Sequence, residues 1–213
     1  MASKLSLYQG ACLAIGERKL LSLTEARASR RQLDTVWAAG GVRTCLQAGL
    51  WNFCRRSAQW DFSGDVSPQW GYTYGFDLPT DWVRPMAVCQ DEFFTTPLTD
   101  YALENQFLFA NLQTVWVAWV SDDPQYGGNY GAWPENFSRY VEFYFASRIV
   151  ARVTNSKEVH DDVEAKLKEA LVRAKATDAM DEATAFQPPG SWIRNRRGRR
   201  TRSDRGNPNR LIG

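Results

Sequence analysis

Thr114-Val115-Trp116-Val117-Ala118-Trp119-Val120 contains the longest apolar run of the chain, Val115 to Val120. It falls far short of the roughly 18 apolar residues of a membrane span. Its β-branched and aromatic side chains suit a pleated surface, so the run reads as a strand. Just upstream, Glu104-Asn105-Gln106-Phe107-Leu108-Phe109 reads as another strand, and a short turn at Ala110-Asn111 predicts that the two form a hairpin. Farther out, Trp70-Gly71-Tyr72-Thr73-Tyr74-Gly75-Phe76 alternates cleanly, with the period of a strand. Trp51-Asn52-Phe53 and Gln59-Trp60-Asp61-Phe62 alternate in part. Between these stretches, Asp77-Leu78-Pro79-Thr80-Asp81 turns the chain. Thr80 is placed to cap a short helix from Trp82 to Met86, which Pro85 keeps short. Residues 51–132 therefore predict a small antiparallel sheet.

Helical patterns flank it on both sides. Leu5, Leu7, Tyr8, Cys12, Leu13 and Ile15 are spaced for an amphipathic helix over residues 5–17, with Gly16 at its end. Ser22-Leu23-Thr24-Glu25 has the form of a capping box. It predicts a long helix to about Leu50, with a packing stripe of Ala26, Leu33, Val36, Trp37 and Leu46. Gly40-Gly41 is its weak point, because each glycine costs about 1 kcal/mol relative to alanine. Downstream, Asp122 to Gly131 reads as a loop, and Pro134 suits a first helical turn. Phe137, Tyr140, Val141, Tyr144, Phe145, Ile149 and Val153 recur at three and four residues. Asn155-Ser156-Lys157-Glu158 caps a second helix through Val159, Val163, Leu167, Ala170, Leu171 and Ala174, which predicts an antiparallel helix pair. The expected fold class is mainly α: a helical bundle with a small antiparallel β-sheet insertion and an extended C-terminal arm. The expected division is 1–50 for the first helices, 51–132 for the β-rich insertion, 133–186 for the helix pair and 187–213 for the arm.

The arm is set apart by charge. From Ser191 to Gly213 the sequence holds eight Arg and one Asp, a net +7. The whole chain carries only +2, so the remaining 190 residues carry −5. Gln187-Pro188-Pro189-Gly190 reads as a linker. The segment beyond it has too few apolar residues and too much like charge to build a core. Fully extended, residues 187–213 reach about 90 Å. Trp192, Ile193, Arg194, Arg196, Arg197, Arg199, Arg200 and Arg202 are the candidate partner-binding residues. Arginine pairs bidentately with phosphates and carboxylates, and Trp192 with Ile193 adds an apolar anchor that a purely electrostatic tail does not need. Nucleic acid, through counterion release, and a protein with an acidic groove are the two partner classes this segment suits.

Catalytic patterns do not stand out. The sequence contains no G-x-S-x-G, no phosphate-binding glycine motif and no dinucleotide fingerprint. His160 sits among Asp161 and Asp162 with no nucleophile marked for it, and reads as a solvated helix residue. Gly127-Gly128-Asn129-Tyr130-Gly131 reads as a loop, and Asp122-Asp123 as an ordinary acidic pair. Cys12, Cys45, Cys54 and Cys89 are widely spaced and read as free, buried thiols rather than zinc ligands. The aromatic fraction of 13%, with nine Trp, serves both a well-filled core and subunit contacts. Met1-Ala2-Ser3-Lys4-Leu5 lacks the apolar core of a signal peptide, so cytoplasmic synthesis is expected. No catalytic residue, cofactor, metal or membrane association is expected.

Several stretches together resemble the head-to-tail adaptor subunits of tailed bacteriophages, nearest in type to tail tubular protein A, the gatekeeper of short-tailed phages. They are Ala11-Cys12-Leu13-Ala14-Ile15-Gly16-Glu17, Gly49-Leu50-Trp51-Asn52-Phe53, and Leu78-Pro79-Thr80-Asp81-Trp82-Val83-Arg84, which looks like the family's Leu-Pro-x-Asp-x-x-Arg turn. The late helix pair followed by an extended tail completes the likeness. The resemblance implies a structural virion protein at the head-tail junction, assembled in the host cytoplasm and forming a ring, typically of twelve subunits, beneath the portal. It implies that the tail nozzle attaches below, that DNA passes through the channel without sequence specificity, and that the C-terminal arm docks on the portal protein. The alternative is a nucleic-acid-binding protein that grips DNA with the arginine tail.

Overall fold

Ser3 opens the first helix, α1 (Lys4–Ala14), by accepting the Ser6 N–H at 3.1 Å, while the Ser6 hydroxyl accepts the Ser3 N–H at 2.8 Å. At its far end Gly16 takes a left-handed φ of +78°. Gly16 then donates to the Leu13 carbonyl and Glu17 to the Cys12 carbonyl, the pairing that closes a helix at a glycine. The structure, a computed structural model, describes residues 2–64, 66, 71–154 and 156–181.

The single long helix expected between Ser22 and Leu50 is two helices, α2 (Ala28–Ala38) and α3 (Gly41–Gln47). Gly40, at φ +80°, reverses the chain between them. Ser22 and Glu25 do make local hydrogen bonds, but to a turn: the Glu25 carboxylate accepts the Leu21 N–H at 2.8 Å. Arg27 holds the segment before α2 out of helix by donating to the Arg18 carbonyl and to Glu17. The late pair forms α4 (Glu135–Val153) and α5 (Lys157–Met180). Ser156 caps α5 through the Val159 N–H. Asn136, at the start of α4, donates to Thr177 near the end of α5, so the two run antiparallel. Helix α4 is central. Its Phe137, Tyr140, Val141, Phe145, Ile149 and Val150 pack with Leu7, Tyr8 and Cys12 of α1, Leu33 of α2, Cys45 and Leu46 of α3, and Val163 of α5.

Six strands form two antiparallel sheets. The first contains β1 (Arg55–Asp61), β3 (Trp82–Cys89) and β6 (Thr114–Ser121), in the order β1-β6-β3. The second contains β2 (Tyr74–Asp77), β4 (Tyr101–Glu104) and β5 (Phe107–Ala110), in the order β2-β5-β4. Alternation along β6 explains the layering. Val115, Val117 and Trp119 point to the second sheet and join Phe76, Leu108 and Ala110 in a core of their own. Val120, on the other side of the strand, belongs to the helical core. The helices, the first sheet and the second sheet thus stack as three layers within one unit.

This corrects the expected fold class. Among described residues about 45% are helical and 21% are strand, and the architecture is α+β rather than a mainly helical bundle with a small insertion. The apolar run at 115–120 marks a strand buried on both faces, which needs a layer on each side. Two local expectations fail with it. Residues 82–86 are strand, not helix: Pro85 is tolerated because β3 is an edge strand whose register shifts on either side of it. The expected hairpin between the strands at 104–109 and 114–120 does not form, since β5 and β6 lie in different sheets. The hairpin is instead β4–β5, turned at Asn105 and Gln106 with φ of +45° and +69°. Both central residues are left-handed, as a two-residue hairpin turn requires, but Gln106 stands where glycine would announce it.

Candidate functional site

Two of the stretches that carry the resemblance, Gly49–Phe53 and Leu78–Arg84, converge on the C-terminal end of α3. The last carbonyls of a helix have no partner within it. Here the Trp51 indole Nε1 donates to the Cys45 carbonyl at 3.3 Å and to the Leu46 carbonyl at 3.0 Å, and Arg84 Nη1 donates to the Gln47 carbonyl at 2.8 Å. Gly49 is needed beneath the indole, because a Cβ there would lie 2.7 Å from the Trp51 ring. The next residue, Asn52, ties in α5. Its N–H donates to both carboxylate oxygens of Asp178 at 3.0 Å, and its Nδ2 donates to the Asp178 carbonyl at 3.0 Å.

Asp81 organises the other half of this joint. Its carboxylate, 8% exposed, accepts from Arg56 of β1 at 3.0 Å, from the Trp119 indole of β6 at 3.3 Å, and from the Ser121 hydroxyl. Burial pushes this carboxyl up, but the hydrogen bonds from Ser121, Arg56 and Trp119 outweigh it and hold it below the usual aspartate value. The Arg56 guanidinium also lies over the Trp119 and Tyr126 rings. Arg43, from α3, donates to Asp122 and to the Trp82 carbonyl, clamping the helix to the ends of β6 and β3. Every charge named here has a partner, and the partners lie on different layers. Such an arrangement fixes helices on sheets.

The candidate arm residues, Trp192, Ile193, Arg194, Arg196, Arg197, Arg199, Arg200 and Arg202, lie outside the described residues. Among the other sequence candidates, His160 is half-buried on α5 beside Asp161. Asp122 is the partner of Arg43, and Asp123 accepts the Gln125 N–H at 2.8 Å. The glycine-rich loop is tucked against β6: a Cβ on Gly127 would lie 2.3 Å from the Ser121 carbonyl, and its own carbonyl accepts the Trp133 indole. The four cysteines are free and buried, and burial pushes the Cys54 thiol up to about 12. Among the described residues no group of three or more His, Cys, Asp or Glu side chains is gathered as a metal site, and no helix is long and apolar enough to cross a membrane.

Sequence reasoning missed Glu142. It lies on α4 against Gly10 of α1, beside a cavity of about 220 Å³ lined also by Ser6, Trp133, Ser138 and Arg139. Burial pushes its carboxyl up to about 7, with Arg139 opposing and Glu135 adding to the rise. The folded-state value is above the unfolded one, so the stability it contributes is complete below about 4.5 and is lost as pH rises through about 7. Glu142→Gln is expected to be more stable than the parent by about 1–2 kcal/mol at roughly pH 8, after allowance for partial solvent screening, and to lose most of that advantage near pH 5. Urea midpoints at the two pH values measure it.

No family model matches the chain, and no curated protein matches it.

Proposed function

We propose that the chain is a structural virion subunit, a head-to-tail adaptor of a tailed bacteriophage, rather than an enzyme. In this reading it forms a ring between portal and tail, and residues 187–213 dock on the portal protein. The observation that carries the reading is the joint at the end of α3. Gly49–Phe53 and Leu78–Arg84 both carry the resemblance, and they meet at one place, where they fix the helical layer to the sheets. A subunit that bears load between two larger assemblies needs such a body. The charge asymmetry adds a second support, since a basic arm of +7 extends from an acidic remainder. Nucleic-acid binding by the same arm is the second reading, favoured by its arginine density.

Deleting residues 187–213 separates the two. The adaptor reading expects the truncated chain to fold normally and to lose binding to isolated portal by at least about a hundredfold, the scale of an anchored arm. The loss of DNA affinity should be small at physiological salt. The DNA-binding reading expects the opposite: portal binding absent in both forms, and a DNA affinity that persists at physiological salt only when the arm is present.

A further inference from the structure

The most exposed aromatic among the described residues stands on the segment between β3 and β4. Phe93 is 76% exposed. The loop beneath it is fixed. Gln90 donates to the Thr96 carbonyl at 3.0 Å and Leu98 to the Val88 carbonyl at 2.8 Å, forming a short stem. Asp91 clamps the turn by accepting from the Thr95 hydroxyl at 2.6 Å, the Thr95 N–H at 3.0 Å and the Thr96 N–H at 2.7 Å. Phe94 is held at a left-handed φ of +55° with its ring under the Arg55 guanidinium. A bulky residue adopts that conformation only where its surroundings impose it, and such strain concentrates at binding elements. The consequence is that Phe94 packs inward while Phe93 is presented outward with little conformational freedom left to lose on binding. Beside it Glu92 is exposed and makes no ion pair among the described residues.

The same chain carries a receptor of matching chemistry. A cavity of about 400 Å³ lies between the end of α5 and the α3–β1 connection, where Leu50, Trp51, Arg84, Lys175, Asp178 and Ala179 are among the lining residues. Leu50 is 48% exposed there, and Met180, the residue after Ala179, is 82% exposed. Lys175 makes no ion pair among the described residues. The Asp178 carboxylate in this lining is buried and held by the Asn52 N–H, which leaves Lys175 and Arg84 as its accessible charges beside the apolar Leu50 and Ala179, and that balance disfavours an arginine-rich segment such as the C-terminal arm. It favours an aromatic residue with an acidic neighbour.

We propose that this cavity receives the Glu92-Phe93 tip of a second copy of the chain, with Phe93 over Leu50 and Ala179 and Glu92 facing Lys175. The contact joins two different patches, so it can be passed from copy to copy and closes into a ring when the rotation permits. The closure into a ring rests on the adaptor reading; the contact itself rests on this geometry.

The test uses the full chain, alone and on isolated portal, with Phe93→Ala, Glu92→Lys, Lys175→Glu and the double charge reversal. Sedimentation and electron microscopy report self-association, and circular dichroism confirms folding. Phe93→Ala is expected to weaken self-association by at least tenfold, and each single reversal by about tenfold. The double reversal restores it, which a merely structural effect at either position would not do. Carbodiimide treatment of the parent is expected to join Glu92 of one copy to Lys175 of another. Rings that form unchanged with Phe93→Ala, or a double reversal that restores nothing, overturn this contact and leave the adaptor reading standing. A chain that does not self-associate under either condition also overturns it. A chain that fails to bind portal at all overturns the adaptor reading instead.

Discussion

Asp81→Ala is expected to destabilise the fold by about 3–5 kcal/mol, the scale on which two buried hydrogen-bond donors are left unsatisfied. Removing the carboxylate leaves the Ser121 hydroxyl, 0% exposed, and the Trp119 indole, 2% exposed, without the acceptor they share. Arg56 fares better, because its side chain is 39% exposed and can turn to water. The cost is therefore dominated by stranded neutral donors rather than by the lost ion pair. Arg56→Ala should accordingly cost less, since Ser121 and Trp119 still satisfy the carboxylate. The pH dependence gives an independent check. The folded-state pKa of Asp81 is lowered, so its contribution is complete above the ordinary aspartate value of about 4 and is lost as pH falls through the lower folded-state value. The gap between parent and Asp81→Ala should narrow over that acid range. Urea denaturation from neutral pH downwards measures both effects. A gap that widens with acid would refute the assignment.

Trp51→Ala is expected to cost a comparable amount, about 3–5 kcal/mol, by the cavity left when a buried Trp is truncated. The indole is 1% exposed, lies edge-on to Phe137 at 4.8 Å between ring centroids, and also meets Phe53 and Tyr140. It touches α4 and closes the end of α3 at once. Trp51→Phe divides the effect. It keeps most of the ring contact and loses the hydrogen bonds to the Cys45 and Leu46 carbonyls, for an expected cost of about 1–2 kcal/mol beyond any packing loss. Thermal or urea unfolding of the two variants, followed by near-ultraviolet circular dichroism, tests the division. Equal losses in both variants would mean that the ring stack contributes nothing.

The helices at the two ends of the chain were readable because their signals are local. Gly16 announces the end of α1, Pro134 the start of α4 and Ser156 the cap of α5, and each acts within one turn. The strands were harder, because what decides them is distant. Residues 82–89 hold a proline and a plausible capping threonine ahead of it, and only an edge position beside β6 makes them a strand. The β4–β5 turn was hidden by Gln106, which takes a left-handed conformation without the glycine that usually signals it. Val115 to Val120 read correctly as a strand, but a run that is apolar on both faces does not say what covers each face. The joint was half legible. Gly49–Phe53 and Leu78–Arg84 stood out as motifs, yet their partners Arg43, Arg56 and Asp178 are 25 to 126 residues away in the chain and carry no local signal. Phe93 was missed for a related reason: nothing local in Asp91-Glu92-Phe93-Phe94 signals the left-handed φ of Phe94 or the exposure of Phe93.

In the function proposed here the chain links a phage head to its tail. Electron microscopy of particles assembled without the chain is the sharpest test of that role. The expected particles are filled or leaking heads that carry no tails, with attachment restored when the full chain is added back and not when the chain lacking residues 187–213 is added. Normally tailed, infectious particles in the absence of the chain would contradict it.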